Sequence, residues 1–194
     1  MLKLLCLLGL MGAVLSEVPS QEERIAILKC HRRLRKTVQP PASNMQLITY
    51  SEEMEDRANK FLAKCPGSTL DSSPVFKDIA YIITSKFNED IQFRDVLCKV
   101  DGRHYIYEND TCSGYCFGYK QMVWAESTTF GCAKQKCPLD DGSTLYFSML
   151  TCFYTPGDVY QTGRPYEQGR SCSKCPQGSG CFQNQCTTEM SPIS

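Results

Sequence analysis

The chain of 194 residues carries 21 basic and 21 acidic side chains, 13 cysteines and one tryptophan. A balanced charge whose only basic concentration is "HRRLRK" (31–36) excludes an electrostatic nucleic-acid binder. A cysteine content this high points away from a reducing compartment and towards disulfides.

Met1 to Ser16 reads as a signal peptide. Lys3 precedes the apolar run "LLCLLGLMGAVL", and Val14 and Ser16 suit the positions before a cleavage site, so cleavage is expected after Ser16. The run is too short to span a bilayer, and no basic stop-transfer flank follows, as an N-terminal anchor would need. No other stretch is apolar for long enough to span. Removing the leader takes Lys3 and Cys6 with it, so 21 − 1 = 20 basic residues face 21 acidic ones, and 13 − 1 = 12 cysteines remain. An even number in a secreted chain reads as six disulfides and leaves no spare catalytic thiol. A chain of this size buries roughly 70% of its unfolded surface and can build a core.

Ser20-Gln-Glu-Glu23 is a capping-box pattern. Ile25, Leu28, Leu34 and Val38 then recur at helical spacing, and Pro40-Pro41 stops the helix. A second helix is predicted from Ser51, with Glu52 and Glu53 favourable in its first turn and a buried stripe of Met54, Ala58, Phe61 and Cys65. Pro66-Gly67 ends it, and 66–75 is loop by composition. "IAYIIT" (79–84) is helix or strand, which its period does not decide. Asp90 to Lys99 is a helix candidate. Asn109-Asp110-Thr111 is an N-glycosylation sequon, expected in an exposed loop. "TTFGCA" and "TLYFSMLTCFY" read as two strands of an antiparallel hairpin turning at "DDGS" (140–143). From Cys172 on, "CSKCPQGSGCFQNQC" has too little apolar surface for a core of its own, so disulfides must hold it. The last residues, "TTEMSPIS", are a polar tail.

The usual chemistries find little purchase. Cys172, Cys175, Cys181 and Cys186 have zinc-like spacing, but an oxidising compartment favours two disulfides. The two histidines, His31 and His104, read as structural or surface residues. No G-x-S-x-G elbow and no glycine-rich phosphate loop occurs. A carboxylate pair such as Asp78 and Asp101 is an acid–base arrangement left open.

Four segments, in order, resemble the CAP superfamily (cysteine-rich secretory proteins, antigen 5, pathogenesis-related 1). "HRRLRKTVQPPASNMQLITYSEEMEDRANKFLAKC" is similar to the family's opening. "GYKQMVWAESTTFGCA" resembles its first signature and "LTCFYTPGDVYQTGRPYEQG" its second, and "CSKCPQGSGCFQNQC" looks like its hinge. The tail is most similar to the peptidase inhibitor 16 and glioma pathogenesis-related branch. The resemblance implies an α+β fold, a three-layer α–β–α sandwich with a small antiparallel sheet, plus a disulfide-held C-terminal hinge. With the signal peptide at 1–16 and the polar tail at 187–194, it places the CAP domain at 17–169 and the hinge at 170–186. It suggests the pairs Cys65–Cys137, Cys132–Cys152, Cys112–Cys116, Cys172–Cys181 and Cys175–Cys186. Cys30 and Cys98 stand outside the usual family positions and are left to each other, which requires their helices to be adjacent. A further family pair falls on Phe76 and Thr155 and is absent as a pair.

Family members typically line a cleft with two histidines and two glutamates, often able to hold a divalent metal. Here the histidines map onto Thr69 and Gly118, and the glutamates onto Asp78 and Asp101. Both imidazoles are missing and both carboxylates are one methylene shorter, which leaves at best a weak hard-cation site. No tight zinc, no cofactor and no catalysis are expected. The resemblance therefore suggests a secreted, non-enzymatic monomer that acts by binding an extracellular protein or lipid partner. Phe117, Tyr119 and Trp124 have the spacing of an aromatic motif linked to sterols in the family, although Trp124 also suits a core. The alternatives are a sterol or fatty-acid carrier, a protease inhibitor, or a weak metal-dependent hydrolase.

Overall fold

The computed structural model describes residues 17–66, 78–139, 142–157 and 162–188. Helix α1 spans Gln21–Lys36. Its capping box is complete: the Glu23 amide donates to Ser20 Oγ at 3.2 Å and the Ser20 amide to Glu23 Oε2 at 2.8 Å. It stops before the prolines, where the Thr37 amide donates to Leu34 O. Helix α2, Glu52–Leu62, is capped by Ser51, whose hydroxyl accepts from the Met54 amide.

Of the apolar positions in and after α1, Leu28, Leu34 and Val38 pack on the core, but they flank its most buried face rather than form it. Ile25 is exposed, and the residues that turn inward are Ile27, His31 and Arg35. Two of these are polar, and the core accepts them because it supplies hydrogen-bond partners, which hydropathy alone does not anticipate.

A four-stranded sheet runs in the order β1 (Thr49–Tyr50), β5 (Thr129–Pro138), β6 (Tyr146–Thr155), β2 (Ala80–Phe87). "IAYIIT" therefore contributes an edge strand. β5, β6 and β2 are antiparallel, with Cys132 opposite Cys152 and Ile82 opposite the same cysteine. The short β1 joins β5 in parallel, which makes the sheet mixed. Side-chain alternation divides the sheet cleanly. Phe130, Cys132, Leu150, Cys152 and Tyr154 face α1 and α3 (Phe93–Leu97), whereas Ala133 and Phe153 face Met54, Ala58 and Leu62 of α2. The result is an α–β–α sandwich. At Gly131 any Cβ would collide with the backbone at Ser51 and Glu55, so glycine is what lets α2 lie against β5.

The expected helix over 90–99 shrinks to α3, five residues. Asp90 stays outside the helix: Lys136 pairs with its carboxylate at 2.6 Å and the Tyr146 hydroxyl donates to it at 3.0 Å. Tertiary contacts here outweigh local helical preference. The disulfides join Cys30–Cys98, Cys65–Cys137, Cys112–Cys116, Cys132–Cys152, Cys172–Cys181 and Cys175–Cys186.

The C-terminal cysteine-rich segment forms a small hairpin of β7 (Gly180–Phe182) and β8 (Gln185–Thr187). Its two disulfides are internal, and backbone hydrogen bonds attach it to the domain. The Cys186 amide donates to Met45 O at 2.6 Å and the Leu47 amide to Cys186 O at 2.7 Å. β8 is buried through Thr187, one residue past the expected end of the hinge.

Candidate functional site

Three of the four expected cleft positions lie among the described residues. Thr69 lies outside the described residues. Asp78 is exposed, with a left-handed backbone (φ 59°). Asp101 is engaged by its own neighbour: Arg103 Nη2 donates to Oδ2 at 2.6 Å, Nε to both oxygens at 2.9 Å, and the Arg103 amide to Oδ1 at 3.0 Å. These hydrogen bonds hold the Asp101 carboxyl below the usual carboxylate range. Gly118 is buried in α4 (Phe117–Met122), yet a Cβ built there would meet only the Tyr115 ring, at 3.9 Å. Space for a side chain exists; the side chain does not. Among the described residues, the one convergence of three metal-type side chains is Cys172, Cys175 and Cys186, and their sulfurs are tied into two disulfides.

What surrounds α4 is a nest of tyrosines. Two short strands, β3 (Tyr105–Ile106) and β4 (Thr111–Cys112), carry Tyr105 and brace the loop that leads to α4. Tyr119 packs against Tyr105 with ring centroids 5.7 Å apart, Tyr105 meets Tyr107 edge-on at 6.3 Å, and Tyr107 stacks on Tyr166 at 5.0 Å. The Tyr107 hydroxyl donates to Tyr166 O at 2.9 Å and the Tyr166 hydroxyl to Gln39 O at 3.1 Å. Into this nest Lys120 brings an ammonium. It donates to Asp110 Oδ1 at 2.9 Å and sits 5.7 Å from the Tyr105 ring centre, while the Tyr105 hydroxyl donates to the same carboxylate oxygen at 2.8 Å. Burial, reinforced for Tyr105 by that hydrogen bond, raises the hydroxyls of Tyr105, Tyr119 and Tyr166 above the ordinary phenol range, so they remain protonated. Sequence reading missed this cluster. The alternating tyrosines of "HYIYEND" and the lysine inside the signature were its available signals.

The three aromatic candidates also part company. Phe117 is exposed and packs beside exposed Tyr115, with centroids 6.1 Å apart. Tyr119 is buried in the nest. Trp124 is buried and lines a cavity of about 400 Å³ that adjoins the nest, sharing Tyr107 and Tyr166 with it. Phe117, Tyr119 and Trp124 thus serve a surface, a core and a cavity wall. Asn109 is exposed in the turn between β3 and β4, and its Oδ1 accepts from the Thr111 hydroxyl at 2.8 Å.

His104 is exposed, and His31 is structural in placement. His31 is fully buried: its Nδ1 pairs with Ile27 O at 2.7 Å, its Nε2 with the Tyr154 hydroxyl at 2.9 Å, and its ring stacks on Phe130 at 3.9 Å. Nδ1 facing a carbonyl must be the protonated nitrogen, so Nε2 accepts from Tyr154. Arg35 is equally buried and has no carboxylate. It donates instead to the carbonyls of Gln46, Met122, Trp124, Ala125 and Ser127 at 2.7 to 3.2 Å, pinning the turn after α4 to α1 and to the segment before β1.

A sandwich of this kind, with β5 braced by two disulfides, defines a cysteine-rich α+β domain. Residues 28–154 match the CAP, cysteine-rich secretory protein family, and the chain belongs to that family. It is 29% identical over 172 residues to GLIPR1-like protein 1 of Mus musculus, covering 83% of this chain and 70% of the relative. It is 31% identical over 190 residues to cysteine-rich secretory protein LCCL domain-containing 1 of Mus musculus, covering 84% of this chain but only 36% of that longer relative. Peptidase inhibitor 16 of Bos taurus is 27% identical over 170 residues and is likewise covered for 36% of its length. Among solved structures, Schistosoma mansoni venom allergen-like protein 4 superposes with a TM-score of 0.59 at 26% identity, over 80% of this chain and all of that one. A zinc-bound NaASP2 structure superposes at 0.64 with 21% identity, over 91% of this chain and 98% of that one, which is a likeness of fold.

Proposed function

We propose that the chain is a secreted, non-enzymatic CAP-domain protein that acts by binding an extracellular protein or lipid partner, with a cleft unable to hold zinc tightly. The single observation that carries this reading is Gly118: a buried position with room for a side chain, in the family's signature helix, from which the expected imidazole is missing. Asp101 tied to Arg103 supports it, since a carboxylate already paired is a poorer ligand for a cation. Lys120, paired with Asp110, places a resident positive charge beside the tyrosines and disfavours a second cation there.

On this reading residues 1–16 are removed as a signal peptide, 17–169 form the CAP domain and 170–186 its hinge, followed by the tail at 187–194. Asn109 carries a glycan, and the protein works as a monomer. No helix among the described residues is long and apolar enough to cross a membrane. Elemental analysis of the secreted protein is the direct test: zinc well below one ion per chain is expected, and stoichiometric zinc would sink the proposal. Native mass spectrometry of the same material, before and after lipid extraction, separates the two partner classes. A co-purified sterol or fatty acid assigns a lipid; its absence, together with a protein captured from extracellular fluid, assigns a protein partner.

A further inference from the structure

The basic run "HRRLRK" (31–36) has no part in the α4 cleft, and the tertiary structure divides its cations. Arg35 turns inward to its five carbonyls and is fully buried. Arg32 is half-buried, with Nε donating to Ile48 O at 3.0 Å. Arg33 and Lys36 stay exposed, and exposed Lys29 joins them from one turn earlier. Spacings of four and three residues put Lys29, Arg33 and Lys36 on one helix face. They extend along roughly 10 Å at 1.5 Å per residue. None of the three takes part in an ion pair among the described residues. The helix dipole accounts for cations in the last turn only, and Lys29 lies before it. The border of this strip is free of carboxylates on the side of the hinge. No acidic residue occurs between Glu23 and Glu52. The β7–β8 hairpin lies against this end of α1: Asn184 Nδ2 donates to Lys36 O at 3.0 Å and Gln185 Nε2 to Arg32 O at 3.3 Å. The hinge has no acidic residue from Gln168 to Thr188, and it brings exposed Arg170. Next to Arg170, Ser171 lines a hollow of about 70 Å³ together with Lys36 and Asn184. On the α3 flank, the carboxylates of Asp95 and Asp101 are already held by Lys99 and Arg103.

The layout selects the ligand's chemistry. A chain with equal numbers of acids and bases keeps one linear strip of uncompensated positive charge, which concentrates anions along it. The strip is longer than one small anion, so it suits a polymer with repeated anionic groups. Arg33 offers a bidentate fork to an oxyanion, and the lysines offer point charges. Six disulfides suit an oxidising compartment. The anionic leaflet of a cell membrane faces the cytoplasm instead. Outside the cell the abundant polyanions are sulfated polysaccharides, whose sulfate groups stay ionised at any physiological pH. We propose that the exposed face of α1 beside the hinge binds a sulfated polysaccharide through Lys29, Arg33 and Lys36. The choice of polymer rests on the reading of the chain as secreted, which recovery from culture medium checks separately. The strip is remote from the α4 cleft, so its failure leaves the zinc and lipid measurements untouched.

The test is binding of the purified full chain to immobilised heparin over a range of salt, with desulfated heparin and phosphatidylserine vesicles as comparators. Wild type is expected to bind heparin at about 0.15 M salt and to weaken as salt rises. The triple variant Lys29→Ala, Arg33→Ala, Lys36→Ala should lose about fivefold per cation, roughly a hundredfold in all, and show a flatter salt dependence. Lys29→Ala alone lies clear of the last turn, so its fivefold loss is read without disturbing the helix end. Arg57→Ala, Lys60→Ala, Lys86→Ala removes the same charge from ion-paired positions on α2 and β2 and should bind as wild type does. No binding of wild type to heparin, an equal loss in the two triple variants, or no loss in Lys29→Ala would overturn the assignment. Binding to desulfated heparin or to the vesicles as tight as to heparin would overturn it too.

Discussion

The buried imidazole of His31 makes a quantitative prediction about acid stability. Burial, with a smaller contribution from the nearby Arg35 charge, pushes it down from 6.5 to about 3 in the folded protein. The folded state therefore holds His31 neutral while the unfolded chain binds a proton at about pH 6.5 and below. Because the folded value is the lower one, His31's contribution to stability is fully present above pH 6.5 and is lost as pH falls towards 3. Each pH unit in that window costs about 1.4 kcal/mol, so roughly 2 kcal/mol is lost by about pH 5 and an upper bound of about 5 kcal/mol over the whole range. Paired carboxylates such as Asp90 and Asp101 also titrate at the acid end, so the difference between two proteins is the clean readout. Urea unfolding of wild type and His31→Gln at about pH 7.5 and pH 5 is expected to show a shallower pH dependence in the variant by about 2 kcal/mol. If the variant is too unstable to measure, the imidazole C–H resonance of His31 in the folded wild type should not move between about pH 7 and pH 4.5. Equal pH dependence in the two proteins, or a resonance titrating near 6.5, would refute the buried neutral imidazole.

Arg35→Met strips the donors from five backbone carbonyls in a core that excludes water, and is expected to cost about 3–5 kcal/mol by urea unfolding. Arg35→Lys should rescue little, since a single ammonium cannot reach the same set. Gly131→Ala drives a methyl group into the α2 backbone and is expected to lower stability by about 3 kcal/mol or more, read as a fall in thermal midpoint and secreted yield. Gly118→His, by contrast, enters open space and should change stability by less than about 1 kcal/mol. Zinc analysis of that variant should still find less than one ion per chain, because Asp101 remains tied to Arg103.

The parts of the fold that rest on neighbouring residues were legible in the amino-acid order. The capping box at Ser20, the start of α2 at Ser51 and the β5–β6 hairpin depend on interactions a few residues apart or on simple alternation. The family resemblance extended this to the layer order and to the absence of a histidine at 118. The inward face of α1 and the length of α3 were not legible. His31 and Arg35 turn inward because Tyr154 and five carbonyls, some of them about ninety positions away, receive their polar groups. Asp90 stays out of α3 because Lys136 and Tyr146 claim its carboxylate.

By itself, then, the sequence determined the family and the elements set by short-range order, because those are questions of residue identity and local spacing. Tertiary structure alone decided what surrounds α1 and α4. The tyrosine nest with its Lys120–Asp110 pair, the carbonyl cage around Arg35 and the hinge border of the α1 strip are each built from segments far apart in the chain. Their surroundings are a property of the packed chain and not of residue order.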